Sequence, residues 1–146
     1  MLMPINRDIL YKDKFLAIQI LSESMARDIT QDEPYFVISI VSKGFNDAIL
    51  AKSPHRKRVL RLQFDDRVNG KNIITDKQAD QVVNFVNENL NDGIRSCIIH
   101  CTAGISRSAG VGAAISKVIN GFDELFFKYY IPNSVCYNKV LEAFKK

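Results

Sequence analysis

The chain has 146 residues, of which 47% are apolar and 25% charged, and a formal net charge of +4. This is enough for one domain with its own core, expected to span residues 1–146, and too little for two; the modest positive charge is no nucleic-acid signature. No run approaches the roughly 18 uninterrupted apolar residues of a membrane span, and residues 1–8 lack the basic and apolar regions of a secretory signal.

Three cysteines, Cys97, Cys101 and Cys136, are odd in number and show no paired metal-ligand spacing. A disulfide framework and a metal centre are therefore not expected, and the expected setting is a reducing cytoplasm, with no membrane and a monomeric state.

In chain order, apolar runs predict strands over residues 15–20 and 35–41, the second bounded by Pro34 and Gly44. Its near-continuous apolar character suits a strand buried on both faces. Residues 22–29 between them can form a short helix. Period-2 alternation from Leu60 to Phe64 predicts a third strand over 59–64. Positive charge gathers around it, in His55-Arg56-Lys57-Arg58 and then Arg61, Arg67 and Lys71. Two readings stay open for this cluster: a solvated loop, or a rim that steers an anionic substrate.

Thr75 and Gln78 have the spacing of a capping box, and Ala79, Val82, Val83, Val86 and Leu90 share one helical face after it. Asn91-Asp92-Gly93 supplies the stop. A strand is expected over 96–100, then a helix from about Arg107 with Val111, Ile115, Val118 and Ile119 facing the core. Its small residues, Ala109, Gly110, Gly112, Ala113 and Ala114, allow close packing on a sheet. Gly121 ends it, and two further helices, 122–130 and 134–144, flank Pro132. Strands alternating with helices predict an α/β fold, with a mostly parallel central sheet of four to five strands flanked by helices.

Between the last strand and the Arg107 helix lies His100-Cys101-Thr102-Ala103-Gly104-Ile105-Ser106-Arg107-Ser108. It places Cys101 at the carboxyl end of a central strand, where open α/β sheets bind ligands. The amides of Thr102, Ala103, Gly104, Ile105, Ser106 and Arg107 can converge on an anion at a helix N-terminus. Gly104 permits the turn. The same field lowers the pKa of a thiol, making Cys101 a nucleophile toward phosphorus. Arg107 can hold two phosphoryl oxygens in its planar fork. Ser108 can offer its hydroxyl to the sulfur, and His100 is expected to support the loop from below rather than to act as a base. Cys97 and Cys136 are expected to be core thiols; Cys97 is roughly 13 Å from Cys101 along an extended strand at ~3.3 Å per residue, too far for a direct disulfide.

A leaving alkoxide needs a proton, so an acid should come from another loop. Asp65 and Asp66 close the third strand on the same side of the sheet as Cys101. Neighbours at a strand end point to opposite sides, so only one of the pair can easily reach the pocket.

The stretch from His100 to Ser108 resembles the signature of the cysteine-dependent protein-tyrosine phosphatase superfamily, and Ala103-Gly104 with Ser106-Arg107-Ser108 is most similar to its compact dual-specificity branch. The resemblance implies a phosphatase-like fold, a phosphocysteine on Cys101, and no cofactor or metal. It matches the acid/base to Asp66, with Asp65 as the alternate, and Pro132-Asn133 to the turn before the last helix. A signature late in the chain, after the acid, is opposite to the order in low-molecular-weight phosphatases.

The tyrosine-recognition loop of the large classical domains has no match. Ala103 and Ile105 stand where phosphoinositide phosphatases often carry lysines. Ser106 and Ser108 stand where RNA 5′-triphosphatases usually have Asn and Thr. A phosphorylated protein is therefore the expected substrate, phosphotyrosine ahead of phosphoserine. The basic cluster keeps RNA as the alternative, and a catalytically inactive phosphate-binding module is the rival from another class.

Overall fold

The computed structural model describes residues 15–146, so the N-terminal stretch read above for a secretory signal lies outside the described residues. Among the described residues, four strands form a single parallel sheet in the order β1-β4-β2-β3. They are β1 (Ala17–Ser22), β2 (Tyr35–Val41), β3 (Arg56–Gln63) and β4 (Ser96–Cys101). Every residue of β2 and β4, the inner strands, is buried, whereas only Leu62 of the edge strand β3 is. A strand covered on both faces needs apolar residues at both parities, and that is the continuous run read in 35–41.

The edge strands differ from expectation. β1 starts two residues after the predicted strand and runs on to Ser22. β3 starts at Arg56 rather than at residue 59. The sheet edge tolerates the charged residues 56–58 because their side chains reach solvent or the chain around them. Apolar alternation could not reveal that extension.

Among the described residues there are five helices: α1 (Glu23–Ala26), α2 (Asp76–Asn91), α3 (Arg107–Ile119), α4 (Glu124–Tyr129) and α5 (Ser134–Phe144). The capping box of α2 forms as expected: the Gln78 amide donates to Thr75 Oγ1 at 3.1 Å and the Gln78 side chain returns to the Thr75 amide. α1 is shorter than the 22–29 segment, because Ser22 turns outward as its N-cap and the helix ends at Ala26. α4 is likewise shorter than 122–130.

One sheet face carries the large core cluster, with α3 against β1 and β4, α2 against β3, and α5 packed on α2 and α3. The other is covered by α1 and the irregular β2–β3 connection around Leu50. The small residues of α3 are required by close approach: a Cβ on Gly110 would lie 2.6 Å from the Asn133 carbonyl oxygen, and one on Gly112 3.0 Å from Ile20 and Phe126. Val118 was expected in this core and is instead 45% exposed, in the last turn of α3. Leu90 is only half-buried; Asn89 takes the buried place beside it, donating to the Phe85 carbonyl. Among the described residues no helix is long and apolar enough to cross a membrane.

Candidate active site

Parallel strands bring their carboxyl ends to one edge. There β4 ends at Cys101, β2 at Val41 and β3 at Gln63, so segments far apart in sequence meet above the sheet. The chain from Cys101 to α3 is held by its own carbonyls. Thr102 O accepts from Glu23 N at 3.1 Å, Ile105 O from Ile131 N at 3.1 Å, and Ser106 O from both Asn133 N and Gly110 N at 2.9 Å. In a trans peptide the following N–H points opposite to its carbonyl. Carbonyls bound outward therefore turn the amides of Ala103, Ser106 and Arg107 inward, giving a cup lined with donors at the start of α3.

Gly104 has φ +71°, and a Cβ there would lie 2.6 Å from the backbone between Leu21 and Ser22. Both conformation and space therefore demand glycine at this point of the cup.

Cys101 sits on the floor, with Sγ 3.1 Å from Ser108 Oγ. Burial pushes its thiol up, but hydrogen bonds from the Ser108 hydroxyl, the Ser108 and Gly104 amides, and the charge of Arg107 outweigh that, and the pKa falls below the ordinary thiol value. The other two cysteines behave oppositely. Burial raises the Cys97 thiol, and burial followed by the charge of Asp66 raises Cys136 to about 12. Both stay protonated and buried, as expected of core thiols.

Arg107 is only 5% exposed. Its Nη1 donates to the Phe64 carbonyl at 2.8 Å and to Ser42 Oγ at 3.1 Å, and its Nη2 to Thr102 Oγ1 at 3.0 Å. Its Nε is buried without a hydrogen-bond partner. A buried donor left unpaired costs about 1–3 kcal/mol, more when charged.

Below the cup, His100 is fully buried, its Nε2 2.6 Å from Ser39 Oγ and its Nδ1 3.3 Å from the Cys101 carbonyl. Burial lowers its pKa, against the pull of the Cys101 carbonyl and of Glu23. The neutral ring with Nδ1 protonated satisfies both contacts, donating to Cys101 O and accepting from Ser39.

The two aspartates part company. Asp65 turns toward the β2–β3 connection, accepting from Lys43 N at 2.9 Å and Asn72 Nδ2 at 3.4 Å. Asp66 turns to the cup, and its Oδ1 accepts from Ser106 Oγ at 2.7 Å and from Asn133 Nδ2 at 3.0 Å. Among the described residues no group of three or more His, Cys, Asp or Glu could hold a metal ion.

The first part of the basic cluster, residues 55–58, lies away from this site, whereas Arg67 and Lys71 follow Asp66 in the connection after β3. Arg56, Lys57 and Arg58 open β3, at the opposite edge of the parallel sheet from Cys101. Arg58 pairs with Glu88 and Asp92, Arg56 donates to Ala51 O, and Lys57 to Pro54 O. Arg61 is spent on Asp47 and the Ala48 carbonyl. Sequence proximity to a strand could not tell which of its ends the charge would occupy.

Ser39, Ser42 and the side chain of Asn133 were not singled out from the sequence. A signal existed for the first two: one is the lone polar residue of an apolar strand, the other directly follows it.

No family model matches the sequence, and no curated protein matches it. Solved structures do match the fold. The human tyrosine phosphatase-like serine/threonine/tyrosine-interacting protein superposes with a TM-score of 0.64 at 20% identity, over 88% of this chain and 91% of that one. PTPMT1, solved in complex with PI(5)P, gives 0.55 at 17% identity over 90% and 91%. A mouse putative dual specificity phosphatase complexed with zinc tungstate gives 0.57 at 17% identity over 89% and 82%. The fold is that of the cysteine-dependent protein-tyrosine phosphatases.

Proposed function

We propose that this chain is a phosphomonoester hydrolase that works through a phosphocysteine on Cys101. One observation carries the reading: a buried arginine with an unpaired Nε beside a cysteine whose surroundings favour the thiolate. Inward amides and the Arg107 fork bind the phosphoryl oxygens. The Cys101 thiolate attacks phosphorus as the P–O bond to the leaving group breaks, and Asp66 gives that oxygen its proton. Asp66 then takes a proton from the water that attacks the phosphocysteine, and Ser108 donates to the departing thiolate. His100 supports the Cys101 carbonyl, and Asp65 takes no part.

A phosphorylated protein is the proposed substrate, phosphotyrosine first. Beside the cup, Ile105 is 46% exposed and Ile131, bonded to it through the backbone, is 75% exposed. An apolar lip suits the flank of a peptide better than a polyanion. The basic residues that favoured RNA lie at the far edge, in contacts of their own, which removes the main support for that alternative. An inactive binding module is disfavoured because nucleophile, arginine and acid are all present.

The purified protein should hydrolyse an aryl phosphate in the presence of a chelator, be blocked by vanadate, and cleave phosphotyrosyl peptides faster than triphosphate-ended RNA. Phosphopeptide binding with no release of phosphate over hours would overturn hydrolysis in favour of a binding module. A preference for RNA that falls steeply with salt would overturn the substrate.

A further inference from the structure

Asn133 joins segments that the mechanism needs in register. Its Oδ1 accepts from the Val135 and Cys136 amides at 3.0 Å, capping α5. Because that oxygen must face two N–H donors, the amide orientation is settled, and Nδ2 is the group that faces Asp66. Nδ2 donates to Asp66 Oδ1 at 3.0 Å and to the Arg67 carbonyl at 3.1 Å. Its backbone N–H donates to Ser106 O in the cup, and its carbonyl oxygen is seated against Gly110 of α3.

We propose that Asn133 is the positioning residue for Asp66, setting which carboxyl oxygen carries the proton and how far it stands from the cup. This rests on the phosphatase reading above. Oδ1 of Asp66 already accepts from both Asn133 and Ser106, so the proton resides on Oδ2. The Arg67 carbonyl bond holds the following residue of the chain as well, so the whole carboxylate is fixed as a unit. Proton transfer demands hydrogen-bond reach to the leaving oxygen, and a displacement of about 1 Å can cost on the order of 10²-fold in rate.

Two variants keep the helix cap and remove the hold. Asn133→Asp retains the capping oxygen but sets a second oxygen against Asp66 and the Arg67 carbonyl. Asn133→Ser is a good N-cap with a side chain too short to reach Asp66. Turnover is compared on two substrates, phenyl phosphate, whose leaving group needs a proton, and a dinitrophenyl phosphate, whose leaving group does not. Both variants should lose roughly 10–100-fold in kcat/KM on phenyl phosphate and less than about threefold in kcat/KM on the dinitrophenyl ester, because kcat/KM ends at formation of the phosphocysteine, before Asp66 acts on water. In an Asp66→Asn background Asn133→Asp should cost nothing further, because it acts through the missing acid. Equal losses in kcat/KM on both esters, or a full additional loss in that background, would overturn the positioning role while leaving the phosphatase reading intact. A wild-type protein that hydrolyses neither ester would overturn the phosphatase reading itself, and this inference with it.

Discussion

The two edges of the sheet hold positive charge in opposite ways. At the amino edge, Arg58 and its neighbours are partly exposed and engaged, with Glu88, Asp92 and nearby carbonyls as partners. At the carboxyl edge Arg107 is buried, clamped by three segments through its Nη atoms, with its Nε left unpartnered. Exposed ion pairs contribute about 0–1 kcal/mol and are screened by salt. A buried guanidinium costs much more to desolvate and is kept only where its geometry serves a ligand or a network. The densest run of positive charge in the sequence therefore lies at the amino edge, and the desolvated, incompletely paired charge at the carboxyl edge.

The largest effect should come from the floor of the carboxyl edge. Cys101→Ser replaces a thiolate with an un-ionised hydroxyl and should lower aryl phosphate turnover by at least about 10³-fold. Wild-type release of phosphate by that variant would dissolve the distinction between the two edges.

Next, Asp66→Asn should cost roughly 10²–10⁴-fold on esters with poor leaving groups. Asp65→Asn, whose carboxylate faces Lys43 and Asn72, should cost less than about tenfold. A reversed pattern would move the acid by one residue and contradict the orientation of the two side chains.

Ser108→Ala tests how the cup treats its thiol. Burial alone raises the Cys101 pKa, and the Ser108 hydroxyl is the foremost group opposing it. A thiol with a lowered pKa stays ionised to lower pH, so removing this donor raises the pKa and shrinks the thiolate fraction on the acid side. The acid limb of kcat/KM, and the pH midpoint for alkylation of Cys101, should both move upward. A lost hydrogen bond to a charged group, about 1.5–3 kcal/mol, corresponds to roughly 10–100-fold in turnover. An unmoved midpoint would show that the amides and Arg107 suffice.

The smallest effect is expected at the amino edge. Neutralising Arg56, Lys57 and Arg58 together should change phosphopeptide turnover by less than about threefold, because screening reduces their field across the length of the sheet. A large, salt-sensitive loss would restore the cluster as part of substrate binding.

Much of this was legible in the residue order. The capping box at Thr75 and Gln78, the helix from Ser134 to Phe144 and the fully buried strand 35–41 depend on bonds within a few residues or on periodicity along one segment. The Cys101-to-Arg107 spacing was legible too, as a short loop between strand and helix whose Gly104 takes a positive φ, though the distant segments that hold the loop were not. What the residue order could not show is which distant groups meet there. The partners of Arg107 on Phe64 and Ser42, the support of His100 by Ser39, and the hold of Asn133 on Asp66 each join segments more than forty residues apart. They exist because β4 lies between β1 and β2, and because parallel pairing delivers the strand ends to one edge. Local bonding determined the elements and the position of the loop between them, and the tertiary arrangement decided which segments hold that loop and which charges, hydroxyls and amides surround it.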